Sequence, residues 1–564
     1  MRNIKDKHEN LHSNSADIVK TVRAFYKDLY TAEPIDFDSQ TTLLSKLDKQ
    51  LTDEQKIICE SLISRDEITN ALKQAKNNKS PGEDGIPVDF YKTFWNLIAD
   101  DFIEVVNHCF QTKSLSISQR TGMITCLFKK GDRQDLGNWR PISLLNADYK
   151  LISKVLSNRL SKTLNYIISD DQTCSVPGRT ILSNCHILRD IIQLCEDNNL
   201  PTALLSIDQM KAFDRVRWGF LFKKLTRFNF GPDFLSWVQL LYTNICSLAK
   251  VNGYLSDPFN LERGVRQGCP LSPLLYILVA EVFSNSVRKD SSISGVKVFN
   301  QEFKVTQYAD DTTLILKTER SLTLCFEHIK EFEKASGAKV NLSKCEGLWL
   351  GSFKTRTDQP FGFNWNKKSL KILGLYFGTE NTEKLNWEPR ILKFIKTLNL
   401  WKTRDLSLRG KAVVVNQLAA SALWYPATIL PLPKWAVKRI NEALWFFVYS
   451  GKKEPIPGKQ ARLPHKEGGL NIVDIEKKSV SLKLSWLAKL FKDELPSKWK
   501  FLFEYFLGSY KNLDIGSSIL KCYLSIFHVN KLPAFYKALL KSYLKIFQDK
   551  RTNPDPLIGL FNEP

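Results

Sequence analysis

The sequence predicts an α+β chain, and two observations carry that. Apolar β runs gather in the middle, at 123–128, at 202–207, and at 303–308 and 312–317 around a tight turn. From about residue 385 apolar positions recur at helical spacing, through 388–400, 409–430, 434–450 and 475–493. Composition agrees: of 564 residues, 43% are hydrophobic and 25% charged, so the chain folds. The length suits roughly two to four domains.

Element by element, residues 1–60 read as a helical lead-in. A helix follows over 66–78, with Ile68, Leu72 and Ala75 on one face, and the Pro and glycines of 79–85 break it. Residues 88–110 repeat the pattern with Phe90, Phe94, Leu97, Phe102 and Val105. The 123–128 strand ends in Lys129 and Lys130, and a polar loop runs to Trp139. A helix over about 147–164 carries Tyr149, Ile152, Val155, Leu156 and Leu160. The Gly/Pro/Lys-rich run 451–468 is the best candidate linker.

The balance of 81 Lys+Arg against 59 Asp+Glu gives +22, and it is unevenly spread. Residues 1–350 carry a net +3; residues 351–564 carry +19 and eight of the 13 Trp. Such a segment suits a polyanion, since cations displace phosphate counterions and flat rings stack on bases. A solvated basic surface over a Trp core is the plain alternative. The 11 Cys are scattered without CxxC or a zinc-like spacing, and Cys185-His186 stand too close to chelate, so a reducing compartment fits. The N-terminus lacks an apolar signal-peptide core, and an intracellular location, nucleus and/or cytoplasm, is expected. The apolar stretch 412–433 holds Asn416, Gln417, Ser421 and Pro426, which favours a buried helix over a membrane span.

Four stretches carry chemistry. Tyr308-Ala309-Asp310-Asp311 exposes two adjacent carboxylates at a turn; they repel unless a divalent cation joins them, though a solvated turn also fits. The run Ser206-Ile207 delivers Asp208 at a strand end, as a functional group or as a helix N-cap. Gly264–Pro273 (GVRQGCPLSP) sets two glycines and Gln267 before an apolar helix, with Ser272 the expected N-cap and Pro273 its first residue. Lys129, Lys130, Arg133 and Arg140 suit a triphosphate or a solvated loop.

Taken in order, these stretches resemble the motifs of reverse transcriptases, most of all those of non-LTR retrotransposons of the long interspersed element type. The likeness covers about residues 60–490. It includes KSPGEDGIPVDFY (79–91), the segment 127–160, DQTCSVPGRT (171–180), SIDQMKAFDRV (206–216), GVRQGCPLSPLLY (264–276) and QYADDTTLIL (307–316). SGAKVNLSKCEGL (336–348), KILGLYFG (371–378), 400–418 and LPHKEGGLNIVDI (463–475) continue it.

The resemblance implies a right-hand polymerase with fingers, an antiparallel-sheet palm, a helical thumb and a helical C-terminal region. Its divisions are a lead-in over 1–60, N-terminal extension and fingers over 61–200, palm over 201–380, thumb over 381–450 and a basic C-terminal region over 451–564. The reverse transcriptase domain proper then spans about 115–380. It implies RNA-directed DNA synthesis by two-metal transfer of dNTPs to a primer 3′-hydroxyl, with two Mg²⁺ about 4 Å apart. Mn²⁺ is a second candidate.

By the same resemblance Asp208, Asp310 and, less directly, Asp311 are metal ligands, with the carbonyl of Ile207 or Gln209 as a further candidate. Arg140, assisted by Lys129 or Lys130, falls on the triphosphate. Phe213 is the steric gate against a 2′-hydroxyl, and Gln267 and Gly268 contact nucleotide and template. Lys344 is the proton donor to pyrophosphate. Leu373 and Gly374 form the primer-grip turn, and Arg179 contacts the RNA backbone. RNA template, DNA primer and dNTPs are the expected partners, with no membrane. The +19 segment would grip the duplex.

Met210 stands where the family has Glu, and Cys174-Ser175 where it has a Gly-aromatic pair. No stretch matches the upstream endonuclease or the Cys/His knuckle of many relatives, so the nick is expected from elsewhere or from a longer reading frame. Two other readings stay open: a decayed or domesticated copy that only binds RNA or DNA, and a splicing partner like group II intron maturases. The 463–475 match favours the retrotransposon branch over the latter.

Overall fold

Alternation along one strand organises the molecule. In Thr202–Ile207, Ala203, Leu205 and Ile207 enter one hydrophobic core and Leu204 enters a second. Neighbouring side chains of a strand point to opposite faces, so a strand apolar on both sides must be covered on both. In the computed structural model, residues 1–547 are described apart from 35, 367, 453–455, 493–496, 509–515, 522–528 and 531.

The second of the two larger sheets is built first in the chain. Strands β1 (Thr121–Phe128) and β2 (Trp139–Leu144) pair antiparallel, and β1 pairs parallel with β4 (Cys246–Val251). The other sheet holds β3 (Thr202–Ile207) at its centre. Its order is β5 (Val305–Tyr308), β6 (Asp311–Leu316), β3, β7 (Glu346–Leu350) and β8 (Asn364–Asn366). Only the β7–β8 contact in it is parallel. Leu314 and Leu316 join the first core with Trp349, while Ile315, Leu348 and Leu350 join the second. A hairpin of β9 (Ser369–Ile372) and β10 (Leu375–Gly378) lies beyond.

The helices follow the sequence reading with shifted ends. The 66–78 helix spans Arg65–Gln74; a Ser64–Glu67 capping box starts it and Ala75 is already extended. Helix α1 (Ser15–Tyr30) is preceded by two short paired strands that the lead-in reading missed. Then come α2 (Val88–Thr112), α3 (Ala147–Ile167), α4 (Ile181–Asp197) and α5 (Ser272–Lys289). Ser272 is the first helical residue and not the cap, which is Leu271. Phe303 belongs to a separate hairpin strand, Gln301–Phe303, so the predicted 303–308 strand is split at Lys304.

Beyond β10 the chain is helical, as expected: α6 (Thr382–Lys402), α7 (Lys434–Val448), α8 (Ile475–Lys492), α9 (Trp499–Gly508) and α10 (Ala534–Phe547). The helix expected over 409–430 carries a π-helical turn at Val414–Ala419. That turn contains Asn416, whose amide holds the Asn471 carbonyl (2.8 Å) and the Val473 N–H (3.0 Å) and so docks the 463–475 segment. The expected linker is packed in its described part, with Ala461 in a core; its residues 453–455 lie outside the described residues, as do 548–564 of the expected C-terminal region.

The C-terminal helices cover the back of the central sheet. Trp486, Trp499, Phe503 and Tyr536 share the second core with Leu188, Leu204 and Ile315. His186 is buried there, its Nδ1 2.8 Å from Asp190, so it is a core histidine. No described helix is long and apolar enough to cross a membrane.

Candidate active site

Asp208 follows the last residue of β3, and β5 and β6 fold back beside it. Tyr308 pairs with Asp311, which leaves Ala309 and Asp310 as a two-residue turn. Ala309 has φ 55°, a left-handed value that costs energy for a residue with a Cβ. The turn is therefore held from outside. Gln172 accepts from the Ala309 N–H (2.9 Å) and donates to the Ala309 carbonyl (3.4 Å). The Gln307 N–H donates to the Asp171 carbonyl (2.8 Å), and the Thr173 N–H to the Gln307 carbonyl (3.0 Å). The register ends at Thr312 opposite Ile207; one step further sets Asp311 across from Asp208.

The acids feel one another. Burial raises the Asp310 carboxyl above the usual range, with the Asp208 charge adding to the rise and Lys129 and Arg140 opposing it. Asp311 keeps exposed surface, yet the protein around its carboxyl, then Asp310 and Asp208, push it up to about 6. Like charges held together in this way favour either protons or a cation.

In front of these acids lies a cavity of about 710 Å³. Lys129, Lys130, Arg140, Asp208, Phe213, Gln267, Gly268, Asp310 and Lys344 all line it. Lys211 ties its two sides, donating to the Trp139 carbonyl (2.6 Å). The Phe213 ring stacks on Tyr276 of α5, with centroids 4.5 Å apart and planes at 13°. Gly268 has φ 120°, and a Cβ there would meet the Ser143 carbonyl oxygen at 2.5 Å, so the loop hugs β2 only as glycine.

The remaining predicted residues lie apart from the cavity lining. Asp311 is not part of it. Leu373 and Gly374, with φ 50° and 78°, turn β9 into β10; their carbonyls accept from Tyr425 Oη (2.7 Å) and Arg390 Nη2 (2.6 Å). Arg179, expected on RNA, spends its guanidinium on the carbonyls of Ser169 (2.5 Å), Gln172 (3.0 Å) and Ile168 (3.0 Å). It thereby shapes the loop that carries Gln172. Sequence reasoning missed Gln172 and Asp171 as supports, although DQTCSVPGRT had marked their loop.

Among the described residues no three His, Cys, Asp or Glu side chains close a metal cage. The donors nevertheless fit a hard divalent cation. Mg²⁺ is commonly held by one or two carboxylates and completes its shell with water and substrate phosphates, and Asp208 and Asp310 face one cavity beside three cations suited to phosphate.

Comparison with known proteins gives a domain match and several relatives. Residues 128–377 match the reverse transcriptase (RNA-dependent DNA polymerase) family. The chain is 34% identical over 552 residues to the Transposon TX1 uncharacterized 149 kDa protein of Xenopus laevis, covering 96% of this chain and 42% of that protein. It is 24% identical over 431 residues to the Pol polyprotein of the type-1 retrotransposable element R2 of Popillia japonica, covering 74% and 58%. It is 22% identical over 391 residues to the RNA-directed DNA polymerase from mobile element jockey of Drosophila melanogaster, covering 65% and 41%. Residues 128–377 are thus similar to a reverse transcriptase domain, an RNA-dependent DNA polymerase. The relatives that match more of the chain are proteins of a transposon, a retrotransposable element and a mobile element. The chain spans about two fifths to three fifths of the length of these relatives.

Proposed function

We propose that this chain extends a DNA primer on an RNA template, joining dNTPs to the 3′-hydroxyl at the Asp208–Asp310 cavity. The carrying observation is the gathering of nine motif residues, from separate stretches of chain, around one cavity. In this reading the sheet of β3, β5, β6, β7 and β8 is the palm. The β1–β2 sheet belongs to the fingers, and α6 and α7 belong to the thumb.

Asp208 and Asp310 would hold divalent cations, with Asp311 across the register from Asp208 as a further acid. Bound Mg²⁺ supplies Lewis acidity to the attacking hydroxyl and the leaving oxygens. The chain supplies the rest. Lys129, Lys130 and Arg140 take the triphosphate charge, and Lys344 protonates the departing pyrophosphate. Phe213, braced by Tyr276, lies under the sugar. The β9–β10 turn, anchored to Arg390 and Tyr425, bears on the primer. The basic 351–564 segment holds the nucleic acid, and the cell compartment is nucleus or cytoplasm.

Primer extension with dNTPs and Mg²⁺ on an RNA template is the expected activity. A protein that binds the template and adds nothing would overturn the reading and favour a binding-only role. Phe213→Val is expected to improve use of rNTPs relative to dNTPs by about ten-fold or more. Unchanged sugar selectivity in competition assays would remove Phe213 as the gate.

Metal binding should depend on pH. A proton leaves Asp311 only near pH 6, so apparent Mn²⁺ affinity should rise through that pH and level off above it, with a proton released on binding. Without metal the sign for stability is the reverse. Folded Asp311 holds its proton more tightly than the unfolded residue, so its contribution falls as pH rises through about 6. Calorimetric titration on either side of that value checks this, and equal affinity at both would contradict it.

A further inference from the structure

One buried group in the cavity wall has no part in the chemistry above. Asp214 is fully buried, and among the described residues no Lys or Arg forms an ion pair with it. Its carboxylate accepts from Tyr30 Oη at 2.8 Å, and from Gln267 Nε2 at 3.2 Å to Oδ1 and 3.0 Å to Oδ2. Tyr30 is the last residue of α1, 184 positions away.

The donors decide how Gln267 is turned. An ionised carboxylate only accepts, so it must take the amide nitrogen of Gln267, which leaves Oε1 as the amide's other pole. The main chain around it is already fixed. The Ser143 N–H donates to the Gln267 carbonyl (2.7 Å), and the Val265 N–H to the Phe213 carbonyl (2.7 Å). Gly264, at φ 91°, makes room for the tyrosine: a Cβ there would lie 2.9 Å from Tyr30 Cε1 and 2.8 Å from the Asp214 carbonyl oxygen. What remains to be set is the rotation of the Gln267 side chain, and the Tyr30–Asp214 pair sets it.

We propose that Tyr30 and Asp214 are positioning residues for the incoming nucleotide, fixing the Gln267 amide so that its oxygen offers an acceptor to a hydrogen-bond donor of the nucleotide. This rests on the polymerase reading of the cavity. It also gives the N-terminal helix a share in the site. A buried carboxylate without a cation is costly, and an apolar pair of the same shape would be cheaper for the fold alone. Burial accordingly pushes Asp214 up to about 6. The groups that face it are Tyr30, with Tyr26 behind it, on α1, Lys211 and Arg215 on its own segment, and Gln267 with Arg266 on the loop. Protonated, Asp214 gains a donor and loses its charge, so its hold on the Gln267 amide nitrogen weakens.

Steady-state primer extension on the full chain tests this with Tyr30→Phe, which removes one oxygen and keeps the ring. KM for dNTPs should rise about five- to ten-fold with kcat within about two-fold. The Tyr30 bond favours the ionised acid, so its loss should move Asp214's part of the acid limb of kcat/KM to higher pH, and Asp214→Asn should remove that part and leave the part set by the metal-binding acids. In a Gln267→Ala background Tyr30→Phe should add no further rise in KM. A Tyr30→Phe protein that melts lower but keeps the wild-type KM and pH profile would overturn the inference and leave the polymerase reading standing. Additive effects in the Gln267→Ala background would overturn it too. A wild-type chain that extends no primer would overturn both.

Discussion

Asp310→Ala should lower the rate of nucleotide addition by about a thousand-fold while template–primer binding stays within about two-fold. The asymmetry follows from placement. Asp310 sits in the β5–β6 turn, facing the cavity beside Asp208, and the turn is held through the Ala309 main chain by Gln172. Removing its carboxyl also relieves repulsion on Asp311, whose rise to about 6 owes part of its size to Asp310. The variant should thus fold at least as well as the wild type. Single-turnover extension together with a binding isotherm measures both effects. Loss of binding in step with rate would point to a damaged fold and not to a lost ligand.

Asp171→Ala carries the largest expected effect on stability. Asp171 is 1% exposed, and its carboxylate lies between Lys498 Nζ (2.5 Å) and Arg288 Nη1 (2.6 Å). Arg288 in turn reaches Glu281 at 2.7 Å. Burial alone would raise this acid, but Lys498 and then Arg288 hold it below the usual range. Breaking such a group by deleting one partner costs about 3–5 kcal/mol, because the largely buried Lys498 loses its carboxylate and Arg288 keeps only one of its two acids. Lys498 lies just before α9, so the variant should also loosen the C-terminal helices from the sheet. Faster proteolysis of α8–α10 together with an earlier unfolding transition would show this. A transition at the wild-type position would mean that water replaces the carboxylate at little cost. The lowered acid fixes the pH sign as well: its stabilisation is present above the ordinary carboxylate range and is lost as pH falls through it.

The same acid shows why the site was legible in part. Asp208, Asp310, Phe213, Gln267 and Lys344 each sit in a short run whose composition announces a strand end, a turn or a loop-to-helix junction. The strand Thr202–Ile207 and the helices at 88–112 and 147–167 were legible because their periodicity is local. Tyr30 and Lys498 were not. Tyr30 is one apolar position of an amphipathic helix, and its partner Asp214 lies 184 residues on. Lys498 pairs with an acid 327 residues away and reads in sequence as one more surface cation. The π-helical turn at Val414–Ala419 likewise has no local signature; it goes with the docking of Asn416 on a distant segment.

The charge asymmetry was legible as a number and not as an arrangement. Several cations of the +19 segment are spent inside the protein: Lys483 donates to the Ala427 carbonyl (3.2 Å) and Lys498 to Asp171 (2.5 Å). Only the cations on exposed helix faces are available to the polyanion of the proposed function.

The most direct test of the central claim is template-directed addition of a single nucleotide. A DNA primer annealed to RNA is offered one dNTP at a time with Mg²⁺. The account predicts growth by one residue, with pyrophosphate released, for the dNTP complementary to the next template base. Tight binding of the primer–template with no growth for any dNTP, or growth indifferent to the template base, would contradict it.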